Sequence, residues 1–231
     1  MIPRENLSDE ETADIIAHLG DLTELNDRRF MALLMFTPLR PGEILALEWS
    51  HLQCAKAANG CDYINLDVKQ SLEYVGTSPK IKPPKTANGV RDFPIDIRLL
   101  DYLAPVSESG LIFTRDEGKK TQLYTGQTYK RMWERIKRTI NVHGMVPYEG
   151  RHTYLTAMER EGMTGTSIQR AAGHAKLSTT QNNYIHPDLD IAKKEGTKMS
   201  ARFDRMQPLQ PPIVAEDSAH IPQRTPSNYE F

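Results

Sequence analysis

Between residues 62 and 95 the sequence stops reading as helix, and this one interruption constrains the fold more than any other feature. "YINLDV" (63–68) alternates apolar and polar residues at the strand period. "KIKPPKTANGVRDFPI" (80–95) contains Asn88-Gly89, a strong tight-turn signal. Strands are predicted on both sides of that turn as a hairpin, with Lys85 on or beside it. Elsewhere the spacing is helical. Ser8 and Glu11 are spaced as a capping box, which opens a helix ending at Gly20. "DRRFMALLMFT" (27–37) is apolar over most of its length and predicts a buried helix. Pro41 suits the first turn of the next helix and Glu43 its positive end, so Arg40 falls in the corner between the two. After the strands, "DIRLLDYLA" (96–104) predicts a short helix capped by Asp96, and "GLIF" (110–113) an extended piece. Further helices are predicted at about 125–141, 150–161 (stopped by Gly162), 166–173, 177–186 and 188–200. The expected class is mainly α with a small antiparallel β-sheet, an α+β arrangement.

The totals limit what such a domain does. At 231 residues, with 39% hydrophobic and 26% charged, the chain suits a globular protein of one large or two small domains. No apolar run is long enough to span a bilayer, and the first twenty residues lack a signal-peptide profile. Two cysteines, Cys54 and Cys61, fit a reducing compartment and offer no metal-ligand set. A net charge of −1 argues against a nucleic-acid partner, but the sum hides an uneven distribution. Residues 1–27 carry Glu5, Asp9, Glu10, Glu11, Asp14, Asp21, Glu24 and Asp27 against Arg4 alone. "KKTQLYTGQTYKRMWERIKR" (119–138) is strongly basic, with interleaved aromatics, and neutralises phosphates locally if one face is free. Tyr129 and Trp133 on that helix are assigned to the core, and Lys130, Arg131 and Lys137 to the side that would meet DNA if a nucleic acid is the partner. From Gln207 onward the chain is rich in proline and polar residues and builds no packed core.

Four stretches then align with one family. "TPLRPGEILALEWSHL" (37–52) resembles the first arginine box of the tyrosine recombinases, the phage-integrase family, with its arginine at Arg40. "PPKTANGVRDFPI" (83–95) resembles their hairpin lysine motif, with Lys85. "VPYEGRHTYLTAMEREG" (146–162) resembles the box written His-x-x-Arg-His-Thr, with Arg151 as the second arginine. "AAGHAKLSTTQNNYIHP" (171–187) resembles the closing segment, with His174 and the nucleophile position at Tyr184. Order and spacing agree over roughly residues 8–200. The sequence departs at Tyr148, where the family has a histidine, at Gly150 in place of an apolar residue, and at Ala172 in place of leucine.

The resemblance implies metal-independent phosphoryl transfer on DNA, with no cofactor. The tyrosine oxygen attacks a phosphodiester, the 5′ oxygen leaves, and a 3′-phosphotyrosyl bond stores the energy for rejoining. Protein cations then do what a metal would, and two guanidinium forks suit the non-bridging oxygens. Arg40 and Arg151 take that role, although taken singly one would be read as a cap for helix-end carbonyls and the other as half of a surface salt bridge. Lys85 is the candidate proton donor to the leaving oxygen. His174 donates a hydrogen bond to a phosphate oxygen, or else is a core histidine. Lys80 and Lys82 are assigned to phosphate contacts. A phenol is a poor base at neutral pH, so Tyr148 is expected to position an oxygen rather than take a proton. Glu149 is expected to brace the site, and His152 to support Arg151 by packing.

Residues 1–200 are thus expected to form a catalytic domain of the tyrosine recombinase type. Residues 201–231 are expected to be a proline-rich tail, flexible or docked on a neighbouring protomer. The implied partners are a double-stranded recombination or attachment site, three further copies in a tetramer, and an accessory protein that sets direction, in the cytoplasm of a prokaryote or phage host. A DNA-binding protein of this fold without strand exchange, and a relaxing enzyme of the type IB topoisomerase kind, are the alternatives.

Overall fold

A computed structural model describes residues 6–56, 62–84, 89–116, 121–142, 144–173 and 189–206. The chain opens with α1 (Asp9–Ala17), where Ser8 Oγ accepts from the Glu11 amide and the Glu11 carboxylate accepts from the Ser8 amide. This is the capping box legible in the sequence. A short 3-10 turn (Leu19–Asp21) leads to α2 (Leu25–Phe36), in which every residue from Arg29 to Phe36 is buried. α2 is the axis of the domain. Helices α3 (Pro41–Leu45), α4 (Leu99–Leu103), α5 (Gly126–Thr139) and α6 (Pro147–Arg160) all pack against it. Asp27 at its start takes the Arg135 guanidinium of α5, which ties the basic helix to the core. α5 buries Met132, Trp133 and Ile136 and leaves Lys130, Arg131, Glu134 and Arg138 exposed.

The strand region holds two antiparallel units. β1 (Leu52–Lys56), β2 (Asp62–Val68) and β5 (Arg91–Asp96) form a sheet in the order β1-β2-β5. Ile64, Leu66 and Val68 of β2 face the core beside Ile95, Phe93 and Arg91 of β5. β3 (Ser71–Val75) pairs instead with β4 (Ser78–Lys82) across the two-residue turn Gly76-Thr77, where Gly76 takes φ 62°. The hairpin expected around Asn88-Gly89 is therefore corrected. Its flanking strands exist, but among the described residues β4 and β5 are not partners. The inward side chains at alternate positions of β5 complete the β2 sheet, while Gly76 gives β4 a nearer partner. The chain does reverse between them, since a Cβ added to Gly89 would lie 2.3 Å from Pro84 Cβ. β6 (Arg115–Asp116) and β7 (Thr121–Gln122) form a minimal ladder before α5.

Asp96 caps the entry to α4, accepting from the Arg98 amide at 2.9 Å. α6 starts three residues before the expected position, because Pro147 sits at its first turn and the Glu149 carboxylate accepts from the Val146 amide at 2.9 Å. α7 (Gly165–Ala172) is capped by Thr164. α8 (Leu189–Met206) runs past residue 200 and lies against β5, with Met199 and Phe203 in the core of its own chain. Arg202 reaches Asp9, and Arg98 reaches Asp204. The helix expected at 177–186 and the tail beyond Met206 lie outside the described residues. No helix among the described residues is long and apolar enough to cross a membrane.

Candidate active site

Arg40 caps the corner between α2 and α3, as its place before Pro41 requires. Its amide and its Nη1 each donate to the Glu43 carboxylate at 2.8 Å, and about a third of its side chain is exposed. Glu43 is buried. The Arg91 guanidinium grips the same carboxylate, Nη1 to Oε1 at 3.0 Å and Nη2 to Oε2 at 2.9 Å. Burial alone would push the Glu43 carboxyl up. The paired hydrogen bonds and charge of Arg91, with those of Arg40, outweigh burial and hold it below the ordinary carboxylate value.

Arg151 is 1% exposed, so the alternative of a surface salt bridge, set aside in the sequence, does not describe it. From the second turn of α6 its Nη1 donates to the Pro38 carbonyl and its Nη2 to the Ala172 carbonyl. One guanidinium thus joins the corner that precedes Arg40 to the end of α7 that precedes His174. Burial, then the charge of Arg40, lowers its pKa to about 10, so it keeps its proton at neutral pH. Glu43, Tyr148 and Arg91 also act on it. The two arginines and Tyr148 that the sequence proposed are therefore gathered into one electrostatic cluster, with Arg91 as a third guanidinium.

Tyr148, on the first turn of α6, is 42% exposed. Its ring packs against His152 one turn on, with centroids 5.0 Å apart. His152 is exposed, so the expectation that it supports Arg151 by packing is corrected: at one residue past Arg151 the helix turns it outward, onto Tyr148. Gly150 is explained by packing. A Cβ there would lie 2.7 Å from Leu34 Cγ and 2.9 Å from the Leu34 carbonyl oxygen, so α6 approaches α2 too closely for a side chain.

Of the proposed phosphate contacts, Lys80 and Lys82 project from the exposed face of β4, and Lys82 lies 3.4 Å from Glu73. Lys130 and Arg131 are exposed on α5, whereas Lys137 is half-buried and paired with Glu134 at 2.7 Å. Lys85, His174 and Tyr184 lie outside the described residues. The residues flanking them are described: Pro84 and Gly89 meet across the lysine segment, and Gly173 closes α7 at φ 61° directly before His174. Sequence reasoning missed Arg91. Its signal was a charged residue at an inward position of an alternating strand.

Comparison with known proteins places the fold. The chain is 27% identical over 194 residues to the tyrosine recombinase XerD of Haemophilus influenzae, covering 78% of this chain and 55% of that protein. It is 24% identical over 183 residues to transposase A from transposon Tn554 of Staphylococcus aureus, covering 76% and 48%. The chain thus spans about half the length of the curated relatives it matches. Its fold resembles that of the Tn1549 transposon integrase solved in complex with circular intermediate DNA, with a TM-score of 0.57 at 20% identity over 90% of this chain and 68% of the other. It also resembles the XerH site-specific recombinase bound to its difH substrate, with a TM-score of 0.51 at 18% identity over 75% and 48%. The family model described as "Phage integrase family" matches residues 5–190, most of the chain, and the protein belongs to that family.

Proposed function

We propose that this chain carries the strand-cleaving and rejoining site of a site-specific DNA recombinase. The observation that carries the reading is the cluster of Arg40 and Arg151, close enough for one charge to lower the pKa of the other, in a chain of the phage integrase family. Two like charges repel in a partly buried site, and an anion between them relieves that cost. A DNA phosphodiester fits the description. The Tyr184 oxygen gives up its proton to solvent and attacks phosphorus, the bond from phosphorus to the 5′ oxygen breaks, and Lys85 protonates the departing oxygen. Arg40, Arg151 and His174 hold the non-bridging oxygens. A 5′ hydroxyl from a second duplex reverses the step. The partner is duplex DNA, bound also by Lys80, Lys82, Lys130, Arg131 and Lys137, and strand exchange proceeds in a tetramer on two duplexes.

The test is incubation with nicked duplexes of random sequence, followed by mass spectrometry for a phosphotyrosyl adduct. The adduct is expected on Tyr184 and is lost in Tyr184→Phe. Tyr148, a phenol where the family has an imidazole, favours one rival: a DNA-binding protein without strand exchange. Binding to duplex without any adduct would decide for that rival.

A further inference from the structure

Arg91 contacts the segments that lead to three of the proposed site residues, Arg40, Lys85 and His174. Its side chain is 2% exposed. Its Nη1 and Nη2 hold Glu43, whose Oε1 also accepts from Arg40. The same Nη1 donates to the Gly89 carbonyl at 3.1 Å, four residues after Lys85. Its Nε donates to the Ala171 carbonyl at 2.8 Å, three residues before His174. Gly173 is shaped around it. A Cβ at 173 would lie 2.9 Å from Arg91 Nη1 and 3.1 Å from Cζ, at a residue whose φ of 61° already disfavours any side chain.

Resting on the recombinase reading, we infer that Arg91 is a positioning residue: one buried guanidinium sets the register of the segments that carry Arg40, Lys85 and His174. It touches no substrate and acts through these three. Only a planar fork of five donors makes this set of contacts. A lysine has three donors on one atom and would release at least one partner.

The experiment uses the full chain with Arg91→Lys and Gly173→Ala, beside a packing variant remote from the site, Ile136→Val. Hydrogen exchange of the free protein is read first. Both site variants are expected to exchange faster in peptides covering 38–45, 89–96 and 165–173, with α2 and α5 unchanged. Adduct formation on Tyr184 is read second. Its maximal rate is expected to fall about 10²-fold in Arg91→Lys, with the half-saturating DNA concentration within about twofold. Ile136→Val should lower the melting temperature but keep the rate. Exchange that rises evenly through the domain, or not at all in those peptides, would overturn the inference, as would an unchanged maximal rate. Should Arg91→Lys fail to fold, Gly173→Ala carries the test, because it displaces the guanidinium and leaves every charge in place. A wild-type chain that forms no adduct sinks the recombinase reading instead, and the exchange pattern alone then decides the role of Arg91.

Discussion

Gly150 stands where α6 crosses α2, and the crossing distance decides what residue 150 is. Gly150→Ala forces a methyl group against Leu34 and is expected to cost about 1–3 kcal/mol, read as a lower urea midpoint with unchanged slope. Glu43 gives a pH prediction. Its folded pKa lies below the ordinary 4.5, so its stabilising contribution is complete above that value and is lost as pH falls through the depressed one. Glu43→Gln is therefore expected to be less stable at neutral pH by about 3–5 kcal/mol, since it leaves a buried guanidinium unmatched. The difference from wild type should close below about pH 4.5, as unfolding curves at stepped pH would report. Tyr148 concerns rate rather than stability. Tyr148→His is expected to speed adduct formation at neutral pH by about tenfold or more, at the low end of general acid–base effects, and to move the optimum downward. A large loss would show that the phenol is the better fit in this pocket.

Among the elements, α8 departs furthest from expectation. Residues 201–231 were expected to be a tail, flexible or docked on a neighbour, yet Phe203 packs on Phe36 of its own chain, with ring centroids 4.4 Å apart. Phe203→Ala is expected to cost about 3–5 kcal/mol and to lower the melting temperature independently of protein concentration. Most helices were legible, because capping residues and apolar spacing are local signals: Ser8 with Glu11, Pro41 before Glu43. The strand pairing was not. Pro84 and Gly89, on either side of the lysine segment, do lie close together, but which strands pair depends on the Gly76-Thr77 turn and on the inward side chains of β5. The same limit applied to the site. Arg40 and Arg151 were readable as motif positions. That Arg151 is sunk against the Pro38 and Ala172 carbonyls, and that Arg91 shares Glu43 with Arg40, follows only from packing between distant segments.

At the scale of the whole molecule, a net charge of −1 and the proposed DNA partner are reconciled by segregation. The acidic start is partly taken up by pairs within the chain, buried Asp27 with Arg135 and exposed Asp9 with Arg202. Lys80, Lys82, Lys130 and Arg131 remain exposed. Binding to duplex is expected to weaken steeply with salt, and each of these cations replaced by alanine should reduce the log–log slope by about 1. Titrations between 50 and 200 mM salt would check this. The seat of Arg151 carries one more consequence. Its two carbonyl partners are 134 positions apart in the chain, so the pocket exists only once both ends of the domain have come together. A polypeptide in which either segment has begun to melt loses this seat, although every residue that builds it is still present in the chain. Under the proposed reading, strand cleavage is then confined to the folded domain by its topology.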